Sequence, residues 1–498
     1  MNKYTYQDYL DFNLKISDLN GISSLLQWDQ EVGMPKESMN GRARQIAGIS
    51  GIIHELYTSK YYSDILNYLE NNVDLDKSQI LNIKLSKKDL QRKICLTKEF
   101  VEELSSAISN SYAAWEEARL KKDFKIFSPA LKNLITLKKK EAELIDKSKE
   151  TYDVFLNEYD SGLKSSELKI IFENLKPELI SLLNQIEKKE KIDISITNKS
   201  YPTNKQWDFG IEVLKEIGFN FNSGRQDVST HPFTINIGEK DIRVTTRIEK
   251  NNLNEMIWSC LHEGGHALYE QGLQSQTYGI PEAEACSLSI HESQSRLWEN
   301  HIGRGLSFWK FNYKKLQNLF PENLNDIELN YFYKIINAVS KELIRTNADE
   351  LTYHFHIIIR FEIEQLLFSD DFNIEDLPEI WNDLYFKYLG IKPENDEKGI
   401  LQDVHWAHGS FGYFPTYTLG SLYAAQFYEH AKRNIENLEQ KIAGGDFSEL
   451  SEWLKTNIYE KGRLLTSDEI CKSSTGESLN AQYFLDYAKQ KYTEIYSL

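Results

Sequence analysis

The sequence predicts a mainly α-helical protein: one large helical body with a small β-sheet set into it. Three observations carry this. Ten prolines in 498 residues leave long stretches uninterrupted. Those stretches repeat apolar residues three and four apart and draw on Leu, Lys, Glu, Ile and Ala, which form helices well. Alternating β-branched residues gather in one place, near residues 225–250.

Residues 96–122, LTKEFVEELSSAISNSYAAWEEARLKK, read as one amphipathic helix, and residues 166–189 as another, with Pro177 as a kink or boundary. Residues 225–250, RQDVSTHPFTINIGEKDIRVTTRIEK, alternate on both sides of IGEKD, a turn signal, and predict two or three strands. YGIPEAEA (278–285) is a loop leading into a helix over 287–300. Residues 392–415, broken by Gly and Pro, are mostly loop, and 421–440 and 480–496 are helices. No repeat, low-complexity tract or linker interrupts the chain. It therefore reads as a single domain over 1–498, with the motif-bearing core at about 225–420.

Composition excludes several classes. A net charge of -17 makes nucleic acid an unsuitable partner, because phosphate binding needs clustered Lys and Arg. The 28 Tyr, 24 Phe and 41 % hydrophobic residues argue against disorder. The four cysteines, Cys95, Cys260, Cys286 and Cys471, form no CxxC, which fits a reducing compartment. The first residues, MNKYTYQDYL, carry no signal-peptide pattern, and no apolar run reaches membrane-spanning length. The expected setting is the cytoplasm.

Residues 261–268, LHEGGHAL, hold the chemistry. His262 and His266 are four apart, one helical turn, so both imidazoles face the same way and can reach one metal ion. Glu263 follows the first histidine and points beside the metal, where it can hold a water and take its proton. Gly264 and Gly265 cost about 1 kcal/mol each against Ala in a helix, but let another segment come close. A catalytic metal of this kind takes three protein ligands. The helix over 287–300, SLSIHESQSRLWEN, offers His291 and Glu292. Packed antiparallel to the first helix, it brings Glu292 to the two histidines. His291 beside it is placed to orient a ligand.

HExxH followed by HESQS resembles the carboxypeptidase Taq family of metallocarboxypeptidases. In the same order come WDQEVGMP (28–35), HPF (231–233), DIRVTT (241–246), IRTNADELTYHFH (344–356), GILQDVHW (399–406) and GYFPTYTLG (412–420). The resemblance implies a two-lobed, mostly helical fold with a deep cleft near the small sheet, assembled as a homodimer. It implies one divalent metal per chain, zinc with cobalt as the alternative, held by His262, His266 and Glu292, and Glu263 as general base. It implies release of single residues from the free C-termini of peptides, with broad preference.

Such a reaction needs a cation for the substrate's terminal carboxylate, best a bidentate Arg. Arg345 and Arg243 are the candidates, with Asp349 and Glu350 as possible partners of Arg345 or Arg360. The tetrahedral oxyanion needs a donor. Tyr413 takes that role by analogy, with His405 as second donor or substrate contact and Tyr417 as competitor. His231 lines the site or caps the sheet. His354 and His356, two apart, diverge on a helix and form no second metal site. Two other readings stand beside this one. The first is an oligopeptidase or dipeptidase with the same chemistry; the second is a silent helical scaffold that keeps a metal for structure.

Overall fold

The computed structural model describes residues 3–72, 74–369 and 372–498. It is 69 % helical, and its strands form a single small sheet among the described residues. The chain divides into two compact units. One comprises residues 1–93, 193–336 and 423–480; the other comprises 94–192, 337–422 and 481–498. Each is assembled from three separate segments. The division therefore leaves no linker signature in the sequence.

In the first unit, helix α1 (Tyr6–Val32) opens with a reciprocal cap. Thr5 N donates to Asp8 Oδ2 (2.7 Å), and Asp8 N donates to Thr5 Oγ1 (3.3 Å). The sheet contains β1 (Gly224–Val228), β2 (Thr234–Gly238) and β3 (Asp241–Thr246), in the order β1-β3-β2. Strands β2 and β3 form the antiparallel hairpin that the alternation around IGEKD predicts, pairing Thr234 with Val244 and Asn236 with Ile242. Strand β1 runs parallel to β3, with Arg225 opposite Arg243. A Cβ on Gly21 would sit 2.2 Å from the Ile237 carbonyl oxygen. Only glycine lets α1 lie this close to β2.

Helix α2 (Leu253–Gly272) follows, capped by the Asn252 side chain accepting from Glu255 N. Helix α3 (Leu288–Arg296) is capped by Ser287 and continues as a π-helix over Leu297–Gly303. Such wide turns are rare and gather at functional sites. Both elements are held by an apolar interior that includes Leu214, Ile257, Leu261, Trp298 and Trp309.

In the second unit, helix α4 (Tyr353–Leu367) is almost entirely buried and carries His354, His356, Arg360 and Glu364 inward. Phe155, Phe361, Trp381 and Phe411 fill the surrounding core. The Gly- and Pro-broken stretch folds as irregular turns over residues 393–414. The carboxylate of Glu364 gathers it by accepting from Tyr152 Oη (2.6 Å), Trp406 Nε1 (2.8 Å) and Gly412 N (2.9 Å).

The remaining predicted helices lie at Lys98–Lys121, Ser165–Ile186, Pro415–Asn434 and Gln482–Tyr496. Helix Ser165–Ile186 runs on through Pro177, because Leu175, Leu179, Leu182 and Leu183 all bury on one side of it. All four cysteines are free thiols. No helix among the described residues is long and apolar enough to cross a membrane.

Candidate active site

His262 and His266 project from one face of α2 with their rings 4.9 Å apart and nearly perpendicular. Glu292 arrives from α3. Its Oε2 lies 3.7 Å from His262 Nε2 and 3.5 Å from His266 Nε2. Bonds of 2.0–2.2 Å around a tetrahedral ion give ligand–ligand edges of roughly 3.3–3.6 Å. The three donor atoms, all within 4.8 Å of one another, are therefore close enough to share one divalent ion. They are the one His/Cys/Asp/Glu group of three with such spacing among the described residues.

Gly265 makes this meeting possible. A Cβ there would stand 2.5 Å from the Gln294 carbonyl oxygen and 2.7 Å from Ser295 Cα, so the backbones of α2 and α3 touch. Gly264 faces the other way, against Leu214 and Ile217.

The donors sit in a built electrostatic frame. Glu292 is 5 % exposed. Burial opposes its ionisation, but Arg296, with Nε 2.6 Å from Glu292 Oε1, and the two histidines hold the carboxyl far below the usual range. Glu299, from the π-helix, accepts at Oε2 from His262 Nδ1 (2.9 Å). Burial opposes its charge as well, yet Arg296, His262 and Arg304 bring it down to about 2. This carboxylate fixes the ring and tautomer of His262, which leaves Nε2 as the ligand atom. Burial and the neighbouring His291 bring His266 down to about 4, so it stands neutral, as a ligand must.

Glu263 is 7 % exposed beside these donors. Burial raises its proton affinity, while His262 and Thr234 pull the other way. Thr234 Oγ1, on β2, lies 2.7 Å from Glu263 Oε2. The sheet thereby reaches the centre through a residue that sequence reasoning missed. Glu299 was missed too; its signal was its place seven residues after Glu292, two helical turns on the same side.

The other sequence candidates fall in two places. On the sheet, Arg243 donates from Nε and Nη2 to Asp241 (2.9 and 2.7 Å) and stacks on Trp28, 4.3 Å from the ring centre. His231 is exposed, with its carbonyl accepting from Ser229 Oγ.

In the second unit, Arg345, His405, Tyr413 and Tyr417 come together. Arg345 stands in a 3-10 turn, Arg345–Asn347. It donates from Nε to Asp403 Oδ1 (3.0 Å) and from Nη1 to Tyr353 Oη (2.9 Å). Arg360 holds the other oxygen of Asp403 through Nε (2.6 Å). The partner of both arginines is thus Asp403. Asp349 instead accepts from Thr352, and Glu350 pairs with Lys491. His405 packs on Phe414 and Tyr413 with ring centres 4.5 and 5.3 Å away, and burial brings it down to about 4. His354 and His356 diverge as expected, toward Thr418 and Tyr385.

Two imidazoles and a carboxylate around one point, with a buried glutamate beside them, define a single-metal hydrolase. The chain belongs to the carboxypeptidase Taq (M32) metallopeptidase family, which it matches over residues 9–492. It is 38 % identical over 504 residues to thermostable carboxypeptidase 1 of Thermus thermophilus, covering 99 % of each chain. It is 37 % identical over 501 residues to carboxypeptidase 1 of Bacillus subtilis, covering 100 % of each. The crystal structure of the M32 carboxypeptidase from Deinococcus radiodurans superposes with a TM-score of 0.97 at 35 % identity, covering 99 % of both chains. The protein is accordingly a metallocarboxypeptidase that works with a divalent metal.

Proposed function

We propose that the protein releases single amino acids from the free C-termini of peptides, with broad preference, and that residues 1–498 act as one catalytic domain. The observation that carries this reading is the placement of Glu263: a buried carboxylate beside the donor triad, tethered by Thr234. A purely structural metal has no need of a base there.

His262, His266 and Glu292 would hold the ion, zinc or in its place cobalt, which share ligand preferences. When bound, the ion supplies a Lewis acid that polarises the scissile carbonyl and acidifies water. Glu263 takes the proton from the attacking water on a carboxylate oxygen and hands it to the departing amine. Tyr413 donates to the oxyanion, and His405 serves as second donor or substrate contact. His405 Nδ1 is buried with no hydrogen-bond partner among the described residues, which suits an atom that waits for substrate.

Net charge separates the two arginine candidates. Arg243 and Asp241 cancel, as do Arg225 and Asp227 beside them. Arg345, Arg360 and Asp403 together leave one positive charge. That favours Arg345 as the group that holds the substrate's terminal carboxylate, with Arg243 and His231 as further substrate contacts. Assembly as a homodimer and work in the cytoplasm complete the proposal.

A short peptide and its C-terminally amidated twin test the selection rule. The free peptide should lose its last residue, the amide should resist, and Arg345→Gln should raise KM steeply for the free peptide. Internal cleavage of both peptides would replace this reading with the oligopeptidase one.

A further inference from the structure

The two histidine ligands are supported differently. His262 reaches a carboxylate directly, through Glu299. His266 faces another histidine: its Nδ1 lies 2.5 Å from His291 Nδ1. His291 Nε2 in turn lies 2.8 Å from Glu270 Oε1, and Asn236 Nδ2 donates to Glu270 Oε2 at 2.9 Å. The proton positions along this row follow from one condition. If His266 Nε2 is the ligand atom, its proton sits on Nδ1. His291 Nδ1 then accepts, so the proton of His291 sits on Nε2 and is donated to Glu270. Glu270 accepts at both oxygens, the second from Asn236. Each donor meets one acceptor, and no member is left over.

The elements deliver these residues by simple spacing. Glu270 is four residues after His266, one turn further along the same face of α2. His291 directly precedes Glu292 on α3. Asn236 is on β2, two residues beyond Thr234. The close backbone approach at Gly265 brings His291 over His266, with ring centres 4.6 Å apart.

We infer that His291 and Glu270 are positioning residues: a two-step relay, anchored to β2 by Asn236, that orients His266 and sets the protein's affinity for its metal. The inference rests on the metal reading above. It assigns to the relay the task that Glu299 performs alone for His262. Outer partners of this kind typically account for 10–100-fold in metal affinity. Glu270 and Asn236 also wall a 220 Å³ cavity with Ser17, Asn20 and Tyr278. Water can fill the space that truncation of Glu270 leaves, so the fold need not collapse around it.

The test measures cobalt(II) affinity of the full-length, metal-stripped protein by competition with a chelator, together with the visible absorption of the cobalt-loaded form. Glu270→Ala and His291→Ala should each weaken cobalt binding about 10–100-fold and shift the absorption bands. Their metal-free unfolding should stay cooperative. Glu270→Gln keeps the shape and one acceptor oxygen, and should fall between these variants and the wild type. Wild-type affinity and an unchanged spectrum in Glu270→Gln and His291→Ala would overturn the relay. Loss of cobalt binding in the wild type, or its full retention in His266→Ala, would overturn the underlying ligand assignment instead.

Discussion

Thr234 Oγ1 lies 2.7 Å from Glu263 Oε2 and 3.0 Å from the Glu263 carbonyl oxygen, so one hydroxyl on strand β2 holds the buried carboxylate in place. A hydrogen bond to a charged group contributes about 1.5–3 kcal/mol, equivalent to roughly tenfold or more in rate. Thr234→Val should therefore lower kcat by at least about tenfold, with KM and metal content unchanged. Thr234→Ser should restore most of it. Steady-state kinetics on the three proteins decide this, and a Val variant with wild-type kcat would refute the role.

Arg296 stands between Glu292 and Glu299, 2.6 Å from the first and 3.3 Å from the second. Removing it leaves two buried carboxylates short of a counter-charge. Breaking a buried pair of this kind costs about 3–5 kcal/mol. Metal-free Arg296→Met should lose stability on that scale by denaturant titration. Added zinc should recover part of the loss, since the ion supplies positive charge at Glu292 and binds only the folded chain.

Gly264 and Gly265 are neighbours on one helix with opposite prospects. Ala at 265 would drive a methyl into the α3 backbone at Gln294 and Ser295, whereas Ala at 264 meets only the flexible ends of Leu214 and Ile217. Gly→Ala gains about 1 kcal/mol of helix propensity, against roughly 1–3 kcal/mol for overpacking. Gly264→Ala should be close to neutral in Tm. Gly265→Ala should lower Tm and weaken metal binding together, because it pushes Glu292 away from the histidines.

Burial works against the charge of Asp403, but Arg345 and Arg360 overcome it and hold the carboxyl well below its usual value. In the interval between the folded and unfolded values, the unfolded chain binds the proton and the folded chain does not. Stability there rises with pH. The stabilisation is present above the ordinary carboxylate range near 4 and is lost as the pH falls below it. Asp403→Asn should remove that part of the acid dependence. It should also destabilise the neutral-pH protein by about 3–5 kcal/mol, because two buried guanidinium groups lose their shared counter-charge and one of them its acceptor oxygen. Denaturation midpoints between pH 3 and 7 would show both effects.

The parts of this account that sequence alone revealed are those set by local spacing. His262, Glu263 and His266 follow from one helical turn, and Glu292 follows from a short helix–loop–helix return. The β2–β3 hairpin follows from alternation around a turn. What escaped notice depends on contacts across long separations. Thr234 meets Glu263 from 29 residues away, Glu299 meets His262 from 37, and Asp403 meets Arg360 from 43. Of these only Glu299 stands at helical spacing from a candidate ligand; no periodicity encodes the meetings at Thr234 and Asp403. Asp403 illustrates this well: it sits two residues before His405, in a stretch singled out for its histidine, yet nothing local says that it joins two arginines. At Pro177 the boundary half of the expectation fails: the helix continues, with Leu175, Leu179, Leu182 and Leu183 buried along it.

The measurement closest to the central claim follows one unblocked peptide over time by mass spectrometry, with wild type and Glu263→Gln loaded with the same metal. The wild type should give a ladder of products shortened one residue at a time from the C-terminus. Glu263→Gln should give no ladder, although it still binds one metal ion per chain. A Glu263→Gln protein that trims the peptide at the wild-type rate, or a wild type that cuts only inside the chain, would contradict that claim.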